Sequence, residues 1–418
     1  MDGRAASQTI TDKIPHLYES VFPVVVSAHT GQKDRLIEHH QVHGWAPSAL
    51  KFDIRHSLKH RFKTRWVYSF VKGFLTLLLA PLYGIEKIFI RLESQWSWFL
   101  PAYLTGLWLT GRHAFSAIYS TGGANSAHLA GYLLWRTTGI PWIAEIHDPM
   151  VHDAWGGSKQ SLRWSAWLEG LICQHATAAF WFTDTALERA RSRHPSLGQR
   201  GKVIAPGAAC PDFSGIEYRR SEQLRIGHFG SLNATRNLSV FLEGLSVLFR
   251  ARPEIAADIK VDVYGTKVDS VSKKAIEQFA LSEVVCVHGR LEWDETSQKT
   301  GRQRVLEAMR TADVLLLLHG TDAFCEEYIP SKLYEYLWTS RPVLGLTWNN
   351  PMLNRILTEH GHTAALADSP QAVADAILNL WQKWRNAGLP DNPVASRYTT
   401  AGAVRQILEL VPATDTRP

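Results

Sequence analysis

The stretch EEYIPSKLYEYLWTSRPVLGL, Glu326 to Leu346, sets two glutamates, Glu327 and Glu335, on either side of Ile329, Pro330, Ser331 and Lys332. Just before it, Val314–Leu318 is a short apolar run that reads as a buried strand, and His319-Gly320-Thr321-Asp322 leaves its carboxyl end. Pro330 suits the first turn of a helix, where its missing N–H is no loss. Ser340-Arg341-Pro342 stops that helix, and Val343–Leu346 is the next strand. The open start of such a helix gathers unpaired amides and partial positive charge, which suits a phosphate or diphosphate; Ser331 and Lys332 strengthen it. Glu335, inside the helix and leaning back toward its start, can accept two hydroxyl hydrogen bonds from a vicinal diol such as ribose. Glu327, in the preceding loop, can hold further hydroxyls. An ordinary proline-started helix flanked by surface acids would produce the same letters.

The alternation extends outward. Phe22–Ser27, Ala117–Ser120, Trp142–Ile146 and Ala179–Phe182 read as strands, and after Pro211 the series restarts at Arg225–Phe229, Lys260–Tyr264, Val284–Val287, Val314–Leu318, Val343–Leu346 and Thr363–Leu366. Continuous β-branched runs separated by helical stretches, such as Leu238–Arg250 and Val305–Thr311, indicate parallel sheets covered on both faces. The expected fold is α/β, with two doubly wound Rossmann-like domains facing a central cleft. The expected boundaries are 1–207, 208–391, and a helix and tail over 392–418. Ligands of such sheets bind beyond the strands' carboxyl ends.

Of the 418 residues, 45% are hydrophobic and 20% charged, ordinary for a globular chain, and the net charge is +6. Cys173, Cys210, Cys286 and Cys325 lie far apart, as reduced core thiols do. The polar start Met1-Asp2-Gly3-Arg4 is unlike a signal peptide. The longest apolar run, Phe74–Ile85, is interrupted by Pro81 and Gly84 and falls short of the roughly 20 residues of a spanning helix, so no transmembrane segment is expected. Lys51, Arg55, Lys59, Arg61, Lys63, Arg65 and Lys72 face only Asp53 and interleave with Phe62, Trp66, Tyr68 and Phe70. Residues 51–108 therefore read either as a membrane-facing segment or as a solvated face with core packing.

The 326–346 stretch reproduces the glutamate spacing of retaining GT-B glycosyltransferases of the family 4 type, and IPSKLYEYLWTSRPVLGL resembles their nucleotide-binding helix. Three further segments agree in order. RIGHFGSLNATRNLSVFLEGL (Arg225–Leu245) resembles the first strand, glycine loop and helix of their C-terminal domain. IYSTGGANSAHLAGYLLWRTTGIPWIAEIHDP (Ile118–Pro149) is similar to an N-terminal strand–helix–strand, and VIAPGA (Val203–Ala208) to the interdomain segment.

This resemblance implies a transferase that moves a sugar, with retention, from a nucleotide-diphosphate sugar to an acceptor hydroxyl on a lipid-linked or polysaccharide glycan. It implies Arg236 and Lys332 on the diphosphate, with Gly230 and Ser231 in the glycine loop; many members carry a basic residue where Ser231 stands. Glu335 would take the ribose, Glu327 the donor sugar, and Gly289-Arg290 the base. Ile329, Pro330 and Ser331 complete the donor site. His147 and Asp148 would serve the transferred sugar and acceptor, although His147, like His128, can equally be a hydrogen-bonded structural histidine. Gly31 is the one glycine of the N-terminal loop Val26–Asp34. No metal or other cofactor is expected, since Pro149 breaks the spacing of His147-Asp148 from His152-Asp153. No nucleic-acid partner is expected. Location would be cytoplasmic, peripheral on the inner membrane face. A nucleotide-sugar epimerase of the same architecture and an inactive GT-B assembly subunit are the alternatives. An NAD-dependent oxidoreductase lacks its G-x-G-x-x-G.

Overall fold

The five side chains of Val314–Leu318 are all buried, and so are those of Val343–Thr347 and Trp142–Ile146. Strands buried on both faces belong inside parallel sheets layered with helices. The computed structural model describes residues 5–29, 33–61, 64–122, 124–152, 158–265, 267–387, 389 and 398–412. It divides the chain into two units, Met1–Pro206 with Thr400–Pro418, and Gly207–Thr399.

The first unit holds β1 (Val24–Ala28) and β2 (Glu38–Val42), a parallel pair, and a parallel sheet in the order β3 (Ile118–Gly122), β4 (Trp142–Ile146), β5 (Ala178–Trp181), β6 (Gly201–Val203). Trp142, Trp181, Leu168, Ile172 and Leu197 pack one core. A second cluster joins Ile143, Phe180 and Ile204 to Ala403 and Ile407 of the Thr400–Leu408 helix. The sequence set 392–418 apart, whereas this helix returns to the first unit.

The second unit is a six-stranded sheet built from β7 (Leu224–Phe229), β8 (Ile259–Tyr264), β9 (Val285–Gly289), β10 (Val314–Leu318), β11 (Val343–Thr347) and β12 (Thr363–Leu366). Its order is β12-β11-β10-β7-β8-β9, parallel throughout. The order reverses between β7 and β10, which places the ligand crevice of such a sheet at their carboxyl ends. Phe241, Leu245, Ile259, Leu316, Leu344 and Ile377 lie in its main core.

Two strands lack the apolar runs that mark the others. β2 is EHHQV, and β6 is a three-residue edge strand. One expectation is corrected. Pro81 and Gly84 do not interrupt the helix around them, which runs unbroken from Arg65 to Phe89. Among the described residues it is one helix long and apolar enough to cross a membrane.

Candidate active site

The glycine loop Gly230–Arg236 leaves β7, and His319-Gly320 leaves β10 beside it. Gly320 has φ +95°, and an added Cβ would lie 3.1 Å from the Thr235 carbonyl and 3.7 Å from Arg236 Cβ. Only glycine lets the two loops meet this closely. Asn233 Oδ1 accepts from the Thr235 and Arg236 amides at 3.0 and 2.7 Å, a turn that presents Arg236. Its guanidinium donates to the Ser231 carbonyl at 3.3 Å. The cation thus lies over the position where the resemblance places a second basic residue.

Neighbouring strand ends are equally close. The Gly230 amide donates to the Tyr264 carbonyl and the Gly265 amide to the Gly289 carbonyl, each at 2.9 Å. A Cβ on Gly265 would stand 2.2 Å from the Gly230 oxygen. Gly265 therefore sets the path of the glycine loop, and the sequence reading passed it over. Gly289 has φ +67°, while Arg290 is exposed and 3.5 Å from Glu292.

The helix of the opening motif is short, Lys332–Trp338, with Ser331 as its N-cap. Its first turn reaches back: the Leu333 amide donates to the Pro330 carbonyl at 2.9 Å and the Tyr334 amide to that of Ser331 at 3.2 Å. Tyr336 pins it to the switch point, its hydroxyl accepting from the Phe229 amide at 3.2 Å and donating to the Leu316 carbonyl at 3.4 Å. Glu335 keeps only 16% of its side chain exposed. Arg302, at 2.8 Å, and Lys332, at 3.0 Å, both contact its Oε2. Burial opposes its ionisation, but the two cations outweigh that and hold its pKa below the ordinary value. Lys332 was expected on a phosphate, and here its ammonium pairs with Glu335. Arg302 comes from the Gly301–Thr311 helix and carried no signal in the local sequence.

Glu327 lies in a short 3₁₀ turn, Ala323–Glu327, and is 2% exposed. The ends of β10 and β11 hold that turn. His319 Nε2 donates to the Tyr328 carbonyl at 2.9 Å, while its Nδ1 accepts from the Trp348 amide at 3.3 Å. Burial pushes its pKa down to about 4, so the ring is neutral and the tautomer fixed. The Asn350 amide group donates to the carbonyls of Cys325 at 3.0 Å, Glu326 at 3.3 Å and Tyr328 at 2.9 Å. Its Oδ1 meanwhile caps the Pro351–Glu359 helix at Leu353 N, 2.8 Å away. Ile329 and Pro330, which follow that turn, are buried.

His228, on β7, is buried with Nδ1 against the Leu316 carbonyl at 3.2 Å. Among the described residues its Nε2 has no hydrogen-bond partner, and it lies 3.7 Å from where a Cβ on Gly230 would be. Burial, with added repulsion from Arg236 and Lys332, pushes its pKa down to about 4. It is a neutral acceptor facing the glycine loop.

His147 and Asp148 follow β4 in the first unit. His147 Nε2 is 3.1 Å from Thr121 Oγ1 and 3.5 Å from Glu145, and Asp148 is exposed. Glu145 is fully buried and bonded to Lys13, Tyr119 and Thr121. Despite its burial, Lys13 and His147 keep its pKa well below the carboxylate range. His128 is structural: buried, 2.9 Å from Ser120 Oγ, with its pKa lowered to about 4 by burial. Gly31 and Asp153 lie outside the described residues.

No protein-family model and no curated sequence matches this chain. Solved structures do. The Anabaena protein HepE, solved with UDP-glucose, is 14% identical, with 73% of this chain and 81% of that one covered and a TM-score of 0.51. The UDP-forming α,α-trehalose-phosphate synthase of Burkholderia xenovorans is 10% identical, covering 76% and 77%, also at 0.51. A putative UDP-N-acetylglucosamine 2-epimerase from Listeria monocytogenes is more distant, 10% identical over 75% and 78% at 0.44. At such identities the likeness establishes architecture, and that architecture is GT-B.

Proposed function

We propose that the chain is a retaining glycosyltransferase that moves a sugar from a nucleoside-diphosphate sugar to an acceptor hydroxyl of a polysaccharide or lipid-linked glycan. The reading rests on one observation: Arg236, Lys332, Glu335 and the Gly230 loop assemble at the switch point between β7 and β10. Charge compensation for the departing diphosphate would come from Arg236, Lys332 and the amides around Ser331, preorganised cations and dipoles acting without a metal. Both cations on Glu335 use Oε2, which leaves Oε1 for ribose hydroxyls. Glu327 and the neutral His228 Nε2 would orient donor-sugar hydroxyls, and the backbone at Gly289-Arg290 would face the base. His147 and Asp148 are the proposed acceptor-side pair. Attack on the face the diphosphate leaves, with a phosphate oxygen taking the acceptor proton, gives retention. The two fold-mates at a TM-score of 0.51 support a nucleotide-sugar donor, one bound to UDP-glucose and the other UDP-forming.

The test is an assay of UDP-, GDP- and ADP-hexoses with a lipid extract as acceptor source. Acceptor-dependent nucleotide release, with donor anomeric configuration kept in the product by NMR, supports the proposal. Isomerisation of the donor sugar without acceptor would support an epimerase instead, and no turnover an inactive subunit.

A further inference from the structure

A helix on a protein surface normally turns its polar face to water. The Arg65–Phe89 helix does the reverse. Its exposed positions recur as a stripe along its length, and among those described Ser69 is the one polar side chain. Trp66, Phe70, Phe74, Leu78, Ile85 and Phe89 are each between 55% and 74% exposed. Among the described side chains, the helix's charged groups, Lys72, Glu86 and Lys87, lie off that exposed stripe. Glu86 is buried and accepts from Ser48 N at 2.7 Å, Ser48 Oγ at 2.5 Å and Trp96 Nε1 at 2.7 Å. Lys51, from the neighbouring Pro47–Arg61 helix, sits 4.2 Å over the Tyr83 ring, and Lys87 donates to the Leu92 carbonyl at 2.7 Å. Lys72 lies against the Tyr68 ring at 5.3 Å.

We propose that this helix docks the protein on an anionic membrane, lying in the plane of the interface with its apolar stripe among the lipid headgroups and upper acyl chains. At 25 residues it is roughly 37 Å long, enough to span. Yet its opposite face is bonded to Ser48, Trp96 and Lys51, and a transmembrane course would tear those contacts out. An in-plane helix keeps them and still removes the stripe from water. Charge selects the lipid. Residues 51–91 hold nine Lys and Arg against two acids, Asp53 and Glu86, both buried. A segment of that composition attracts phosphatidylglycerol or a similar anionic lipid and repels a second copy of itself. The docking deepens the transferase reading by naming the acceptor class, a hydroxyl on a lipid-linked glycan.

Sedimentation with vesicles tests it without donor or turnover, so its failure leaves the transferase reading standing and separately testable. The wild-type chain is expected to sediment with phosphatidylglycerol-containing vesicles at least about tenfold more tightly than with phosphatidylcholine alone, a preference lost near about 0.5 M salt. Leu77→Glu/Leu78→Glu, at exposed positions, should weaken binding by at least roughly tenfold with an unchanged melting temperature. Absence of vesicle binding by the wild type, equal binding by the double variant, or a stable dimer that ignores vesicles would each overturn the proposal. The lipid preference of the wild type decides the matter even if the double variant does not fold.

Discussion

Asn350→Ala removes two functions held by one buried side chain. Its Oδ1 caps the Pro351–Glu359 helix, and loss of such a cap costs about 1 kcal/mol. Its amide group also holds the carbonyls of Cys325, Glu326 and Tyr328, and so the turn that carries Glu327. The Tyr328 carbonyl keeps His319 as a donor, so the truncation mainly removes the Asn350 donor from the Cys325 and Glu326 carbonyls, at about 2 kcal/mol together. The sum, about 3 kcal/mol, is a fall of about 6–12 °C in the melting temperature of a unit this size. Asn350→Ser retains a cap and loses the clamp, so it should fall by about 4–8 °C. Because both variants release the Glu327 turn, both should weaken donor-sugar binding about equally, by roughly tenfold in calorimetry. The reasoning is refuted if Asn350→Ser binds donor like the wild type, or if Asn350→Ala is as stable as the wild type.

Other variants probe separate joints of the structure. Gly265→Ala drives a Cβ to 2.2 Å from the Gly230 oxygen, and it should cost about 1–3 kcal/mol in chemical denaturation while weakening donor binding by displacing the glycine loop. Lys13→Met strands the buried Glu145 carboxylate, a loss of about 3–5 kcal/mol, visible as a lowered denaturation midpoint of the first unit. His128, His228 and His319 each bind a proton near 6.5 in the unfolded chain but only near 4 when folded. Their contribution is therefore full above about pH 6.5 and is lost as pH falls toward 4, by up to about 3 kcal/mol per histidine. Melting temperatures measured across that window should drop steeply, and a flat profile would contradict the neutral assignments.

Most strands of the two larger sheets were legible because strands buried on both faces are predominantly apolar, as at Val314–Leu318, and as at Trp142–Ile146 apart from Glu145. β2 and β6 were not, the first because its histidines are satisfied by side chains, as where Ser27 Oγ meets His39 at 2.8 Å, and the second because three residues leave no pattern. Within the candidate site, Glu327 and Glu335 could be singled out by their place around the Pro330-led helix start, and Arg236 only through the resemblance of the Arg225–Leu245 segment. Arg302 could not, since only tertiary packing carries the Gly301–Thr311 helix to Glu335. Asn350 did leave a signal: an Asn directly before Pro351 is the signature of a capped helix start. The apolar helix was read as too short because Pro81 and Gly84 were counted as breaks. Both lie on its exposed side, where a proline costs one backbone bond and displaces no packing.

The most direct test titrates nucleoside-diphosphate sugars, beginning with UDP-glucose, and inorganic pyrophosphate into the wild type, Arg236→Ala and Glu335→Gln. The account predicts stoichiometric binding of at least one sugar nucleotide, weakened by about tenfold or more in Arg236→Ala, where charge-assisted bonds to phosphate are lost. Glu335→Gln should weaken the sugar nucleotide and spare pyrophosphate, which has no ribose. Binding of none of these compounds by the wild type, or titration curves that neither substitution alters, would contradict it.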